Sequence, residues 1–407
     1  MPLAPTTRAL ITLYTSTLMA GMWAMVVPTI PVLAKHFAIT PGTAAQVITA
    51  LSVGRFAGMP ISGFVLDRFG ARTALIAGPL IACLSAILAA FMPWFTLILI
   101  PVFFIGIADS IWVIAREIAG VDLVRADQRG RVLSGFHGIN YLGLAFGPLI
   151  GGLLTEQIGF RSVFVAYAAC AGISTLIGWQ LEASHHPIPL IHARPAPMEW
   201  SFKALGQRLR GIRELFHEIR PELRVTYIVL VLATFTSFAH RMTAQSIVPV
   251  FASEVLHLTP KEIGLLFTIS GLSVFAMILP AGFVIDKVGR KWATVPSTGI
   301  PAIAFLLIPF ADSFFQLAIL LSFLGIANGL SLGSLATSTF DVVPVHARGR
   351  LQALRRTLAE IGGVSAPLIG GYLVDKFSPA VPFLAYAPLL ILAALLLAVM
   401  ARETLEK

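Results

Sequence analysis

GFVLDRFGAR occupies residues 63–72, and GFVIDKVGRK occupies residues 282–291. Each is an apolar run that stops on an aspartate, a base and a glycine. The shift that carries Gly63 onto Gly282 aligns the chain with itself elsewhere. Pro41 falls on Pro260. FFIGIAD, ending at Asp109, falls on FLGIAN, ending at Asn328, with Gly106 over Gly325. RGR (129–131) falls on RGR (348–350), and FGPLIGG (146–152) falls on SAPLIGG (365–371). One register kept across separate elements, without net insertion, marks the duplication of a unit about half the chain long.

The composition says where that unit resides. Of 407 residues, 57% are hydrophobic and 12% charged, and the mean hydropathy is +0.86. A soluble domain carries about 25% charged residues. Half that charge cannot cover a water-facing surface of this size, so the chain is dissolved mainly in lipid. A helical crossing needs about 20 apolar residues. Twelve such stretches run 9–34, 43–66, 73–93, 95–118, 132–157, 160–181, 225–250, 261–285, 292–311, 313–337, 350–375 and 380–401. Their lengths exclude the roughly ten-residue strands of a membrane barrel. Backbone groups in lipid must bond within their own segment, which leaves helix. The fold class expected is an all-α polytopic membrane protein of twelve transmembrane helices in two six-helix repeats, with its site between them.

The domain division expected is a first bundle over 1–182, a linker over 183–224 and a second bundle over 225–407. The linker carries Arg194, Lys203, Arg208, Arg210, Arg213, Arg220 and Arg224. It reads first as a solvated tether, although Glu199 to Glu218 also fits a basic amphipathic helix on the membrane. Basic residues gather on one side: Arg68 and Arg72, Arg125, Arg129 and Arg131, the linker, Lys287, Arg290 and Lys291, Arg348 and Arg350. The other side holds Lys35, Arg161, Lys261 and Lys376. The positive-inside bias therefore predicts cytoplasmic termini in a multi-pass protein of a prokaryotic plasma (inner) membrane. The same bias explains the net charge of +9 without nucleic acid. Cys83 and Cys170 lie within apolar segments and make no disulfide framework. His185–His186 and His240–Arg241 lack metal spacing. No phosphate-binding loop of the GxxxxGK[ST] kind occurs, and the first span is too long for a cleavable leader. No cofactor or metal is expected, and the chain is expected to be a monomer.

These residues carry a family resemblance. The chain resembles the major facilitator superfamily, whose loop between helices two and three has a G-x-x-x-D-[RK]-x-G-[RK]-[RK] signature. Gly63, Asp67, Arg68, Gly70 and Arg72 match it, while Ala71 departs from it. The second copy matches at Gly282, Asp286, Lys287, Gly289, Arg290 and Lys291. GLAFGPLIGG (143–152) is similar to the fifth-helix signature of the family's proton-driven antiporters, through Gly143, Gly147, Pro148, Gly151 and Gly152; Ser134 replaces its upstream glycine. The resemblance implies secondary active transport of a small molecule coupled to protons.

Physical readings of the same motifs stand beside it. Asp67 ends an apolar helix where a carboxylate can accept bonds from a neighbouring helix N-terminus. Gly63 and Gly70 permit close approach and a tight turn. The cluster then latches the halves in one state, or merely fixes topology. The small residues of GLAFGPLIGG let helices pack backbone to backbone, and Pro148 interrupts the hydrogen bonding. That helix then serves as a hinge or seal, or as packing alone.

Charges inside the membrane bear on mechanism. Counted at about 1.5 Å per residue from the helix ends, Arg55, Asp109, Arg241 and Glu360 fall near the midplane. Each costs at least about 2.5–3.5 kcal/mol there, so each should face a cavity and have a partner. Asp109 shares a helix face with Arg116, and Glu360 with Arg356. A carboxylate in a low-dielectric cavity takes up a proton more readily, which makes Glu360 and Asp109 the candidate proton carriers, unless structural ion pairs lock them. His240 is the weaker candidate. Trp112, Asn140, Tyr141, Gln245 and Asn328, with Trp23, Met22 and Phe238, are candidate walls of a substrate cavity with Arg55, His240 and Arg241. Such a lining suits a bulky amphipathic cargo. Two functions follow: proton-coupled export of hydrophobic or amphipathic compounds, or proton-coupled import or exchange of a small organic anion held by arginine. An enzyme is not expected, because no nucleophile–base pair or cofactor loop is present.

Overall fold

The computed structural model describes residues 5–125, 129–180 and 215–404. Helices α1 (Pro5–Gly21) and α2 (Ile30–His36) flank a tighter 3-10 stretch, Met22–Thr29, and together make the first crossing. α3 (Pro41–Phe91), α4 (Phe95–Asp122), α5 (Arg129–Gln157) and α6 (Phe160–Gln180) complete the first set. The second set is α7 (Pro221–Glu254), α8 (Pro260–Phe283), α9 (Arg290–Leu307), α10 (Phe314–Val342), α11 (Arg348–Lys376) and α12 (Val381–Val399). No strand occurs among the described residues. Linker residues 183–214, with His185, His186 and most of the expected Glu199–Glu218 helix, lie outside the described residues, as do the side chains of Arg129 and Arg131.

Straight, the 51 residues of α3 would span about 77 Å, more than twice the ~30 Å of a hydrocarbon core. The helix instead turns at Gly70, whose φ of 79° and ψ of 169° suit only glycine. Its two arms flank the same neighbour: Gly54 lies against Phe103 and Gly106 of α4, and Gly78 lies against Trp112 of α4. Among the described residues, eleven helical stretches are long and apolar enough to cross a membrane. Because α3 supplies two crossings, the total is twelve.

Packing repeats the sequence register. A Cβ at Gly106 would sit 2.3 Å from the Leu51 carbonyl oxygen, and one at Gly325 would sit 2.3 Å from that of Ser270. Leu51 and Ser270 are themselves related by the shift that carries Gly63 onto Gly282. Both halves therefore fold as one pattern of crossings, tightened at one glycine. Small side chains such as Ala82, Ala86 and Ala89 fill the interior, while Phe91, Leu279 and Phe310 point outward. An apolar exterior is the arrangement that lipid, not water, rewards.

The halves meet at one end. Asp375, at the end of α11, accepts hydrogen bonds from Thr40 Oγ1 (2.6 Å) and Gly42 N (2.7 Å) at the start of α3. Glu156, at the end of α5, accepts one from Lys261 N at the start of α8 (3.3 Å). The two acids occupy matching positions of the repeat, and so do their donors Gly42 and Lys261. Each places a carboxylate on the positive N-terminus of a helix in the opposite half. Gly42 and Gly152 let the backbones close there, since a Cβ would come within 2.0 Å of Gly371 O and 2.3 Å of Pro260 O. Among the described residues, the other hydrogen bonds between halves are Thr43 Oγ1 to Asp375 Oδ2, Thr268 Oγ1 to Ala145 O and Ser52 Oγ to Met242 Sδ. None lies at the end that carries residues 63–72 and 282–291.

Candidate functional site

Between the halves lies a cavity of about 640 Å³. Its walls come from the first crossing, the first arm of α3, α4, α5, α7, α8, α10 and α11. Arg55, Asp109, Asn140, Tyr141, His240, Arg241, Gln245, Asn328 and Glu360 all line it, as do Trp23 and Phe238. Trp112 does not. It is fully buried between Gly78 and Ser16, to whose Oγ its Nε1 donates at 2.9 Å. Glycine at position 78 lets α3 close on the Trp112 backbone and Cβ, while the indole is held by Ser16 of α1. Sequence reasoning passed over Met242, Phe267 and Val274, which add apolar wall.

Asp109 takes its partner from α3. Arg55 Nε donates to Asp109 Oδ2 at 2.8 Å, and the guanidinium lies 4.5 Å from the centre of the Trp23 ring. Ser110 Oγ bonds the Arg55 carbonyl at 2.8 Å. Arg116, on the same helix, is buried beside this pair, and its Nε and Nη1 have no hydrogen-bond partner.

The second half sets out the equivalent position differently. Asn328 stands where Asp109 stands, and its Oδ1 accepts from Arg241 Nε at 2.8 Å. Arg241 Nη2 also reaches Ser331 Oγ and the Asn328 carbonyl. Just beyond, α10 breaks at Leu332 (ψ 109°) and Gly333 (φ 84°). The guanidinium thus sits at the C-terminal end of a helical segment, where the dipole favours a cation. His240 bridges α7 and α10, with Nε2 3.1 Å from Asn328 Oδ1 and Nδ1 3.1 Å from Thr236 O.

Glu360 differs from both. Its side chain is 11% exposed, and its ion-pair partner is Arg356 Nε at 3.9 Å, on a side chain 64% exposed. It faces the cavity without a short bond to a cation. The described residues hold no group of three or more His, Cys, Asp or Glu side chains that could bind a metal.

The two signature loops are unlike. In the second, Gly289 has a φ of 152°. Arg290 Nη1 donates to Asp286 Oδ1 (3.1 Å), its Nε donates to Asp341 Oδ2 (3.1 Å), and Glu403 receives the backbone N–H of Arg290 and Lys291. In the first, Ala71 stands where Arg290 stands. Asp67 is exposed and makes no hydrogen bond or ion pair among the described residues, and Arg68 lies 5.9 Å from the Phe69 ring. The sequence marks Gly63 as a site of close approach, and Gly282 is its mate in the repeat. Here both face open space, with no atom within 4 Å of a Cβ, because the halves are apart at this end. In α5, Gly143 and Gly151 press on the first crossing at Leu18 O and Met25 O, while Pro148 O and Gly152 press on Gly264 and Pro260 of α8. Gly147 lies at ordinary contact from Met25.

The sequence profile described as Major Facilitator Superfamily matches residues 12–229 and 230–407. The chain is 26% identical over 374 residues to the "Multi-drug resistance efflux pump PmrA homolog" of Lactococcus lactis, covering 88% of this chain and 85% of that one. It is 24% identical to the "Tetracycline resistance protein, class C" of Escherichia coli, covering 88% of each. Among solved structures, a D-xylose–proton symporter superposes with a TM-score of 0.74 at 17% identity, covering 98% of this chain and 99% of that one. A peptide transporter superposes at 0.78 and 14% identity, covering 96% and 93%.

Proposed function

The chain belongs to the major facilitator superfamily, a family of transporters, and on that premise we propose that it is a proton-coupled exporter of amphipathic small molecules. It works by alternating access in the plasma membrane of a prokaryote. Residues 1–182 and 225–407 are the two moving bundles, and 183–224 joins them. The basic loops lie in the cytoplasm with both termini, so the form described is open to the cytoplasm and sealed outside. The observation that carries this reading is Glu360: a buried carboxylate without a short ion pair, on the wall of a cavity that combines aromatic and apolar side chains with charged and polar ones. Asp109 must break a 2.8 Å bond to Arg55 before it can carry a proton, so Glu360 is the carrier and Asp109 the second choice. Export is supported by the efflux and resistance proteins to which the chain is similar. Asp67, unbonded here, engages a helix N-terminus of the other half when the cytoplasmic side closes.

Inverted membrane vesicles with an acidic interior test the reading. Of ethidium and N-dansyl-phenylalanine, a cationic and an anionic amphipath, at least one added to vesicles that contain the wild-type protein should dissipate the pH gradient, and Glu360→Gln should abolish that response. Undiminished dissipation in Glu360→Gln would transfer the role to Asp109. If no amphipathic compound of any charge dissipates the gradient, antiport is wrong.

A further inference from the structure

We propose that the cargo carries a negative charge, which docks on Arg241. The inference rests on the export reading and names the class of compound exported. It stands on a difference between the halves. In the first, the guanidinium of Arg55 is neutralised by Asp109. In the second, the residue at the matching position is Asn328, and Arg241 makes no ion pair with a carboxylate among the described residues. The carbonyls at the break in α10 offset only part of the charge, about half an elementary unit at a helix end.

Arg241 is also presented for binding. Asn328 and Ser331 occupy Nε and Nη2 and fix the plane of the guanidinium. Nη1 makes no protein hydrogen bond and is not among the buried unpartnered atoms. One turn further along α7, Gln245 lines the same cavity, and its Oε1 is buried without a hydrogen-bond partner among the described residues. Positions 241 and 245 share a helix face. An anionic oxygen on Nη1 and an N–H or O–H donor on Gln245 Oε1 would satisfy both. Phe238, Met242, Phe267 and Leu324 surround them with apolar surface. The class that fits is an aromatic or aliphatic amphipath with a carboxylate beside an N–H or hydroxyl. Arginine is the side chain suited to a planar carboxylate.

N-dansyl-phenylalanine and its methyl ester differ only in that charge, and each has the N–H donor and aromatic body. Binding to the purified wild-type protein, read by dansyl fluorescence, should favour the acid about tenfold or more, as expected for one charge-assisted contact. Asn328→Asp rebuilds the arginine–carboxylate pair of the first half, so it should insert and fold. In it, and in Arg241→Gln, the acid-to-ester ratio should fall to about one. Equal binding of acid and ester to the wild type, or an unchanged ratio in both variants, overturns the anionic cargo while leaving export intact. If neither compound binds, and ethidium and N-dansyl-phenylalanine both leave the vesicle pH gradient undisturbed, the export reading fails with it.

Discussion

At matching positions of the two halves, Asp109 faces Arg55 while Asn328 faces Arg241. At this position the first half pairs its arginine with a carboxylate, and the second leaves Arg241 to dipoles alone among the described residues. The loops divide the other way. Arg290 ties Asp286 to Asp341 within the second half, whereas Ala71 leaves Asp67 unbonded in the first. Duplication supplied the same backbone twice, and substitution then opened the two copies in different places: a cation in the cavity of the second, an anion at the loop of the first. A group satisfied inside its own half holds that half rigid. A group left open can bind something that changes during the transport cycle.

The largest effect should come from erasing the first half's internal closure. Asp109→Asn copies the second half's pattern into the first and strands Arg55 in the membrane interior. Removing one partner of a buried pair costs about 3–5 kcal/mol, less here because Arg55 and Asp109 remain 22% and 13% exposed. Transport should fall at least about a hundredfold, with a lower thermal midpoint in detergent. The double variant Arg55→Gln/Asp109→Asn should recover the midpoint but not transport. If the single variant is as stable as wild type, the pair is not what closes the first half.

Smaller, and equal in the two halves, should be the penalty at the shared glycine. Gly106→Ala and Gly325→Ala each push a Cβ to 2.3 Å from a carbonyl oxygen of the adjacent helix. Overpacking of this kind costs about 1–3 kcal/mol. The thermal midpoints should drop by similar amounts, and a large disparity would show that the halves do not share this contact in solution.

The sealed end should respond unequally. Asp375 holds two short bonds across the halves and Glu156 one long one. Charge-assisted bonds exceed neutral ones about twofold, but solvent weakens them. Asp375→Asn should shift the population toward the form open at this end by about tenfold, and Glu156→Gln by roughly two- to threefold. Spin-label distances between the exposed positions 36 and 376, and between 157 and 257, would measure both shifts while leaving the tested residues in place.

Much of this was legible in the residues. The repeated register implied the duplication, apolar length implied the twelve crossings, and Gly70 makes the turn that its position in the loop implied. The charges placed near the midplane by counting do face one cavity. Their pairing was not legible, because it depends on how each helix is rotated about its axis, which neither spacing nor composition fixes. Trp112 was misplaced for that reason: its indole turns to Ser16 of α1 instead of the cavity. The break in α10 at Leu332–Gly333 went unread because a single glycine in an apolar run is an ambiguous signal. Glu156 and Asp375 carried a signal that the register itself would have exposed, two acids at one offset, each opposite a helix that begins at a proline.

The smallest expected effect bears on the loop comparison most directly. Ala71→Arg gives the first loop the side chain that closes the second. By the geometry of Arg290, the new guanidinium would reach Asp67, and Asp122 stands at the position matching Asp341. Asp67 is exposed, so the added pair should contribute under about 1 kcal/mol to stability. Its effect on transport has a different origin. If Asp67 must reach a helix N-terminus of the other half when the cytoplasmic side closes, a resident arginine competes for the same carboxylate oxygens. Turnover should slow about two- to fivefold with the thermal midpoint unchanged or slightly raised. Asp67→Asn, which removes the acceptor charge outright, should slow it further. The double variant Ala71→Arg/Asp67→Asn should be no slower than Asp67→Asn, because both changes act on one carboxylate. Additive slowing would mean that arginine at position 71 acts elsewhere, and that the open anion of the first loop is not the moving contact.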